Sequence, residues 1–186
     1  MTRPGPRDRL ISTAIAMVQE RGVHATGLSD LLKRSSAARN SIYQHFPGGK
    51  EDLMVTATQT AGAIVAARID RLAATTDPAG IVSGMIARWI SELEAADFGT
   101  GCPIAAAALA SPDEPAIAAA AADAFAALRG RISAALVAAG TSGEAADVKA
   151  SVAVSAIEGA LLQARAARSV QPLRDAETVL VALLRD

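Results

Sequence analysis

The chain has 186 residues, 51% of them apolar, which suffices for one large domain or for a small one joined to a larger one. No run of about 18 apolar residues lacks charges or helix breakers, so no membrane span is expected, and no apolar signal core follows the basic start; one cysteine cannot close an internal disulfide, which fits a reducing cytoplasm. The net charge of −1 is uneven: residues 1–53 hold eight Lys and Arg against five Asp and Glu, the remainder ten against fourteen, as expected of a small basic head on a near-neutral body.

Aromatics are scarce and alanines frequent, which favours close-packed helices over sheets. The residues before Pro6 form an arm carrying Arg3. Pro6 suits the first turn of a helix whose inward face is Leu10, Ile11, Ala14, Ile15 and Val18, and Gly22 stops it. Arg3, Arg7 and Arg9 are candidates for phosphate contact, with solvated surface as the alternative. His24 reads as loop surface. Thr26 is a suitable N-cap for a second helix, Leu28 to Arg34, whose Leu28, Leu31 and Leu32 have inward spacing. A turn falls at Ser35-Ser36, and Ser36 is also a candidate cap for a third helix, from about Ala37 to His45.

At 100° per residue, Ala38, Ile42 and Phe46 form one apolar stripe on that third helix. Arg39, Asn40, Tyr43 and Gln44 share the opposite face, which holds a guanidinium, two amides and a phenol but no carboxylate. Arg can bond guanine edges and phosphates, Asn and Gln can bond adenine, and Tyr can reach a phosphate. These are the parts of a recognition helix in a major groove, although an ordinary polar surface helix has the same pattern.

The surrounding residues add a resemblance. Thr26, Leu31, Ser41-Ile42-Tyr43, His45-Phe46 and Lys50-Glu51-Asp52-Leu53 together resemble the DNA-binding signature of the TetR family of transcriptional regulators. Pro47-Gly48-Gly49 before the lysine and the later Gly101-Cys102-Pro103 resemble its LmrA/YxaF-like branch. The family usually has Gly where Ser36 stands, Ser where Ala38 stands and a smaller residue at Asn40. The resemblance implies a DNA-binding set of Thr26, Ser36, Arg39, Asn40, Ser41, Tyr43, Gln44, His45 and Lys50.

Beyond Gly49 the punctuation continues to mark helices. One runs from Lys50 to about Ala74, with Leu53, Ala57, Ala61, Ile64 and Leu72 at helical spacing; another is opened by Asp77-Pro78 and reaches about Ala96. Asp97 to Gly101 is a loop, and Ile104 to Ala110 a short helix. Asp113-Glu114-Pro115 opens a helix to about Ala138, Gly140 to Gly143 is a turn, Glu144 to Arg168 is a helix, and Pro172 begins the last, to Leu184. The expectation is an all-α chain: a three-helix helix-turn-helix DNA-binding domain over 1–49 and a helical ligand-binding and dimerisation domain over 50–186.

No catalytic or metal constellation competes with this. Gly99-Thr-Gly101 lacks the third glycine of a dinucleotide fingerprint and has no strand before it. Gly140-Thr-Ser-Gly143 is one residue short of a nucleophile elbow. The two histidines stand apart from any ligand cluster. Cys102, beside Pro103, suits a small packed hydrophobe better than a redox sensor. No cofactor and no enzyme activity are expected.

In the body, Met85, Trp89, Phe98, Cys102, Phe125 and Leu128 are the bulky residues among alanines. Such walls can leave a cavity for an apolar ligand or can simply pack as a core. The resemblance favours the pocket, bounded by the helices starting near Lys50, Pro78, Glu114 and Glu144. Val152, Ser155, Gly159 and Leu162, with Val179, Leu180 and Leu183 on the nearly all-round apolar last helix, call for a cover that a two-fold copy supplies; the resemblance implies a four-helix dimer interface there. The reading is a cytoplasmic homodimeric regulator, a repressor, that binds palindromic double-stranded operator DNA and is released by a small apolar inducer. A helical protein-binding adaptor is the alternative, and a small-molecule carrier or enzyme a weaker one.

Overall fold

The computed structural model describes residues 5–185, and among these the chain forms nine α-helices and no strand. They are α1 (Pro6–Arg21), α2 (Leu28–Ser35), α3 (Arg39–His45), α4 (Lys50–Ala73), α5 (Pro78–Ala95), α6 (Pro103–Ala108), α7 (Pro115–Ala138), α8 (Gly143–Ala167) and α9 (Gln171–Arg185). Among the described residues no helix is long and apolar enough to cross a membrane.

The chain packs as two compact units. The first holds the chain up to Gly62 together with Cys102–Ala124; the second holds Ala63–Gly101 and the chain from Phe125 onward. Packing therefore divides the chain differently from a cut after Gly49. The reason is length: α4 and α7 have 24 residues each, roughly 36 Å at 1.5 Å per residue, so each gives one half to either core.

The first unit is built on α1, against which α2, α3 and α6 pack. Leu10, Ile11, Ala14, Met17 and Val18 are its buried arc. Met17 is fully buried while Ile15 is half-buried, contrary to the expected inward set. The helical period explains it: Leu10, Ala14 and Met17 follow one line, and Ile15 falls on its flank. Gly22 ends the helix at φ 80, donating its N–H to the Val18 carbonyl at 2.9 Å. At Gly62, a Cβ would come within 2.8 Å of the Ala124 Cβ, so α4 and α7 touch closely there because both residues are small.

In the second unit α5 and α8 both pack on α9. Asp77 caps α5 by accepting from the Gly80 N–H at 2.7 Å, with Pro78 at the first position. Ile81, Val82, Met85, Ile86, Trp89 and Leu93 then form its buried face. Arg131 on α7 ties to Asp70 on α4 at 3.0 Å, and the Ser133 hydroxyl bonds Asp147 on α8 at 2.5 Å. The last helix turns Leu173, Leu180 and Leu184 inward.

Candidate nucleic-acid interface

The turn between α2 and α3 is tighter than its composition suggests. Ser36 is left-handed (φ 52, ψ 38) and closes α2, and the Ala37 N–H reaches back to the Leu32 carbonyl at 3.2 Å. This is a C-terminal capping turn of the kind that favours glycine. Ala38, rather than Ser36, stands at the N-cap of α3 without a side-chain bond, and α3 starts at Arg39. Two expectations are thereby corrected: Ser36 caps nothing with its hydroxyl, and exposed Ala38 is no part of the inner stripe. That stripe consists of Ile42 and Phe46, both buried.

Arg39, Asn40, Tyr43 and Gln44 are all exposed, at the i, i+1, i+4, i+5 spacing that makes one helix face. No acidic residue lies in the first turn of α3. Ser41 lies half-buried to one side of this face, with its N–H on the Ala38 carbonyl at 2.9 Å. His45 is exposed and meets Phe46 edge-on, with ring centroids 6.5 Å apart. Tyr43 is 53% exposed, yet a Cβ on Gly49 would lie only 3.5 Å from its Cε1, so the Pro47-Gly48-Gly49 turn lies beside the phenol. Gly49 is left-handed (φ 72), and the Asp52 carboxylate holds the Gly48 N–H at 2.5 Å. A Cβ on Gly48 would come within 2.6 Å of that carboxylate, so the Asp52 side chain would have to shift, while the left-handed Gly49 is the position that calls for glycine.

Two further residues of the expected set have other engagements. Thr26 is fully buried, and its hydroxyl donates to the Gly22 carbonyl at 2.7 Å. The N-cap of α2 is Gly27, so Thr26 packs the corner between helices instead of capping. Lys50 is half-buried and donates from Nζ to the Val23 carbonyl at 3.3 Å, tying the start of α4 to the α1–α2 corner. Arg9 likewise donates from Nε to the Ser35 carbonyl at 3.1 Å, and the Arg7 guanidinium lies 5.7 Å from the Phe46 ring centroid. Arg3 falls outside the described residues.

A brace between residues distant in the chain sets α2 on α1. Arg34 makes two parallel bonds to Glu20, 2.6 Å each, and Arg21 reaches Asp30 at 3.3 Å. The Arg34 hydrogen bond holds the Glu20 carboxyl below the usual glutamate range, against a smaller opposing effect of burial. The same bond raises Arg34. Opposite charges 14 residues apart carry no local signal; only the fold joins them.

Of the expected ligand set, Met85, Trp89 and Leu128 are buried and Phe98 and Phe125 half-buried, all in the second unit. Cys102 belongs to the first, where its buried thiol is the N-cap of α6 and accepts from the Ala105 N–H at 3.5 Å. Of the expected dimer set, Val152, Ser155, Gly159 and Leu162 are exposed along one face of α8, as is Val179 on α9, while Leu183 is half-buried. Leu180 is corrected: it is 2% exposed, because the Leu173–Leu180–Leu184 register places it in the chain's own core.

This arrangement is matched by known proteins. The profile of the bacterial regulatory proteins of the tetR family matches residues 10–57, and that of the LmrA/YxaF-like transcriptional regulator C-terminal domain matches residues 78–179. The chain belongs to the TetR family. A relative, an HTH-type transcriptional regulator of Mycobacterium tuberculosis, is 37% identical over 178 residues, covering 91% of this chain and 89% of its own. LmrA of Bacillus subtilis is 31% identical over 99 residues, 53% of each chain. Two solved TetR structures share the fold. That from Legionella pneumophila has a TM-score of 0.83 at 21% identity, covering 97% of both chains. That from Rhodobacter sphaeroides has a TM-score of 0.82 at 19% identity, covering 94% of this chain and 96% of the other. As a TetR-family protein, the chain is a transcriptional regulator with a DNA-binding domain, not an enzyme.

Proposed function

We propose that the chain acts as a homodimeric, cytoplasmic repressor that binds a palindromic operator through α3 and leaves it when a small apolar molecule occupies the body. The observation that carries the DNA half is the face of α3, where Arg39, Asn40, Tyr43 and Gln44 are exposed together without a carboxylate. Asn40 and Gln44 would read base edges; Arg39 would reach a guanine or a phosphate; Tyr43, with His45, Ser41 and Lys50, would hold the backbone. Thr26 and Ser36 serve this surface by shaping the corners that support it. In this reading residues 1–49 are the DNA-binding part and 50–186 the ligand-binding and dimerisation part.

The dimer half rests on aliphatic residues left uncovered. Val148, Val152 and Leu162 on α8 and Val179 on α9 are exposed, with Ser155 and Gly159 in the same α8 row. A second copy on this face buries them by two-fold symmetry. Two heads must then meet successive major grooves, about 34–36 Å apart. A ligand that prefers the body of the unbound geometry shifts the equilibrium by that preference alone.

Selection of bound duplexes from a random library tests the DNA reading, and the expected product is a palindrome with half-sites one helical turn apart. Recovery of no sequence, with the head capturing a protein instead, would favour the adaptor alternative. For the ligand, Trp89 is the single tryptophan and is buried in the second unit. An inducer is expected to shift its emission and release DNA over one concentration range. A ligand that releases DNA without touching Trp89 emission would move the pocket elsewhere.

A further inference from the structure

Three of the four non-glycine residues with positive φ among the described residues lie at one corner of the second unit. They are Asp97 (φ 49) and Phe98 (φ 57) after α5, and Arg168 (φ 51) after α8. Left-handed backbone is unfavourable for any residue with a Cβ, and two such residues in succession persist only where their surroundings dictate it. Part of that dictation comes from the end of α5: the Phe98 N–H donates to the Leu93 carbonyl at 2.7 Å and the Gly99 N–H to the Ala96 carbonyl at 2.9 Å.

The rest comes from α8. Arg168 donates from Nη1 to the Asp97 carbonyl at 3.1 Å and from Nη2 to Asp97 Oδ1 at 2.5 Å. Its guanidinium also lies 5.9 Å from the Phe98 ring centroid. Arg165, one turn earlier, donates to the Gly99 carbonyl at 3.3 Å. We propose that Arg168 is a positioning residue that, with Arg165, clamps the loop after α5 in its left-handed form.

Charge attraction is not the agent. The Arg168 and Asp97 side chains are largely exposed, and such pairs contribute little on their own. The agent is shape: one planar, five-donor fork takes a backbone carbonyl, a carboxylate and a ring face of two adjacent strained residues, which a lysine cannot do.

Amide hydrogen exchange on the full chain tests this without any DNA, so its outcome is independent of the regulator reading. Arg168→Gly removes the guanidinium and also relieves the left-handed C-cap of α8, so a mere capping role for Arg168 predicts equal or better protection everywhere. The clamp predicts about fivefold faster exchange, or more, at Phe98 and Gly99, with α8 unchanged. Arg168→Lys should behave like Arg168→Gly in the loop. In a Phe98→Gly background, where the loop is less strained, Arg168→Gly should change these rates less than about twofold. Unchanged exchange at Phe98 and Gly99, full protection with lysine, or the same effect in the Phe98→Gly background would each overturn the proposal.

Discussion

The α3 face and the α8 face are both exposed helix surfaces, yet their chemistry is opposite. On α3 the exposed residues are donors and acceptors, over an inner side reduced to Ile42 and Phe46. On α8 they are aliphatic: Leu162 is 71% exposed, and Val179 on neighbouring α9 is 66% exposed. A polar helix face needs no cover, since water satisfies it, so its composition is open to selection for reading bases. In the proposed dimer a second copy covers this apolar face. The residues beneath differ as well. Head corners are held by polar ties from Arg9, Thr26, Arg34 and Lys50, whereas the α8–α9 side rests on buried leucine and alanine.

The change that most directly breaks this contrast is Leu162→Glu, which makes the apolar face polar. In a single chain Leu162 is exposed, so the fold should stay intact, with an unaltered helical spectrum. In a dimer the carboxylate is buried without a partner, at a cost of about 3–5 kcal/mol. Sedimentation should show a folded monomer, and operator affinity should fall because two half-sites no longer bind as one. A stable dimer with this substitution would move the interface off α8. Leu180→Glu is expected to unfold the chain instead, since Leu180 lies in its own core.

The converse removes a donor from the polar face. Asn40→Ala should cost about 1–3 kcal/mol on the selected operator and relax preference at one base pair. Lys50→Ala should weaken all duplexes alike and lower the salt slope by about one contact. It should also lower melting temperature, because Lys50 holds the Val23 carbonyl. An Asn40→Ala protein with unchanged base preference would dismiss α3 as the reading surface, leaving the contrast between the two faces one of exposure alone.

Much of this contrast is written locally in the sequence. Helix periods, proline starts and the Arg39–Gln44 spacing follow from neighbours in the chain, and the expected helices match those observed to within a few residues. What was not legible depends on distant pairs. Thr26 looked like a cap because its hydroxyl has cap chemistry, but Gly22 four residues back takes the bond. Leu180 looked free because the last helix is apolar nearly all round, and only packing against α5 and α8 decides which leucine turns inward. The Glu20–Arg34 brace and the Arg168–Asp97 clamp join residues 14 and 71 positions apart.

Ser36 offers a smaller test, of the turn that aims α3. Its φ of 52 is left-handed, and the Ser36 side chain makes no cap bond to α3. Ser36→Gly relieves the backbone but frees the unfolded chain as well, so the net gain is about 0.5–1 kcal/mol. Denaturant unfolding should shift to higher midpoint at unchanged slope, with base preference retained. A lower midpoint would show that the serine contributes more in the folded turn than its conformation costs.

The smallest expected effect concerns the polar ties themselves. The Glu20 carboxyl is held below the ordinary glutamate range, first by the Arg34 hydrogen bond and then by its charge, with burial opposing. A carboxyl depressed on folding binds its proton less readily in the native state than in the unfolded chain. Its contribution is therefore complete above the unfolded value, about 4.3 for glutamate, and is lost as pH falls through the lower folded value. Both side chains are more than a third exposed, so the effect is small and shrinks with added salt. Thermal melts at low salt should show wild type more stable than Glu20→Gln near pH 6, and the difference should narrow toward pH 3. Added salt should narrow it at pH 6 as well. Leu162 lies on α8, away from the Glu20–Arg34 pair, so Leu162 variants should keep the wild-type acid profile of the head. A Glu20→Gln difference equal at both pH values would mean that shape, not charge, sets α2 on α1.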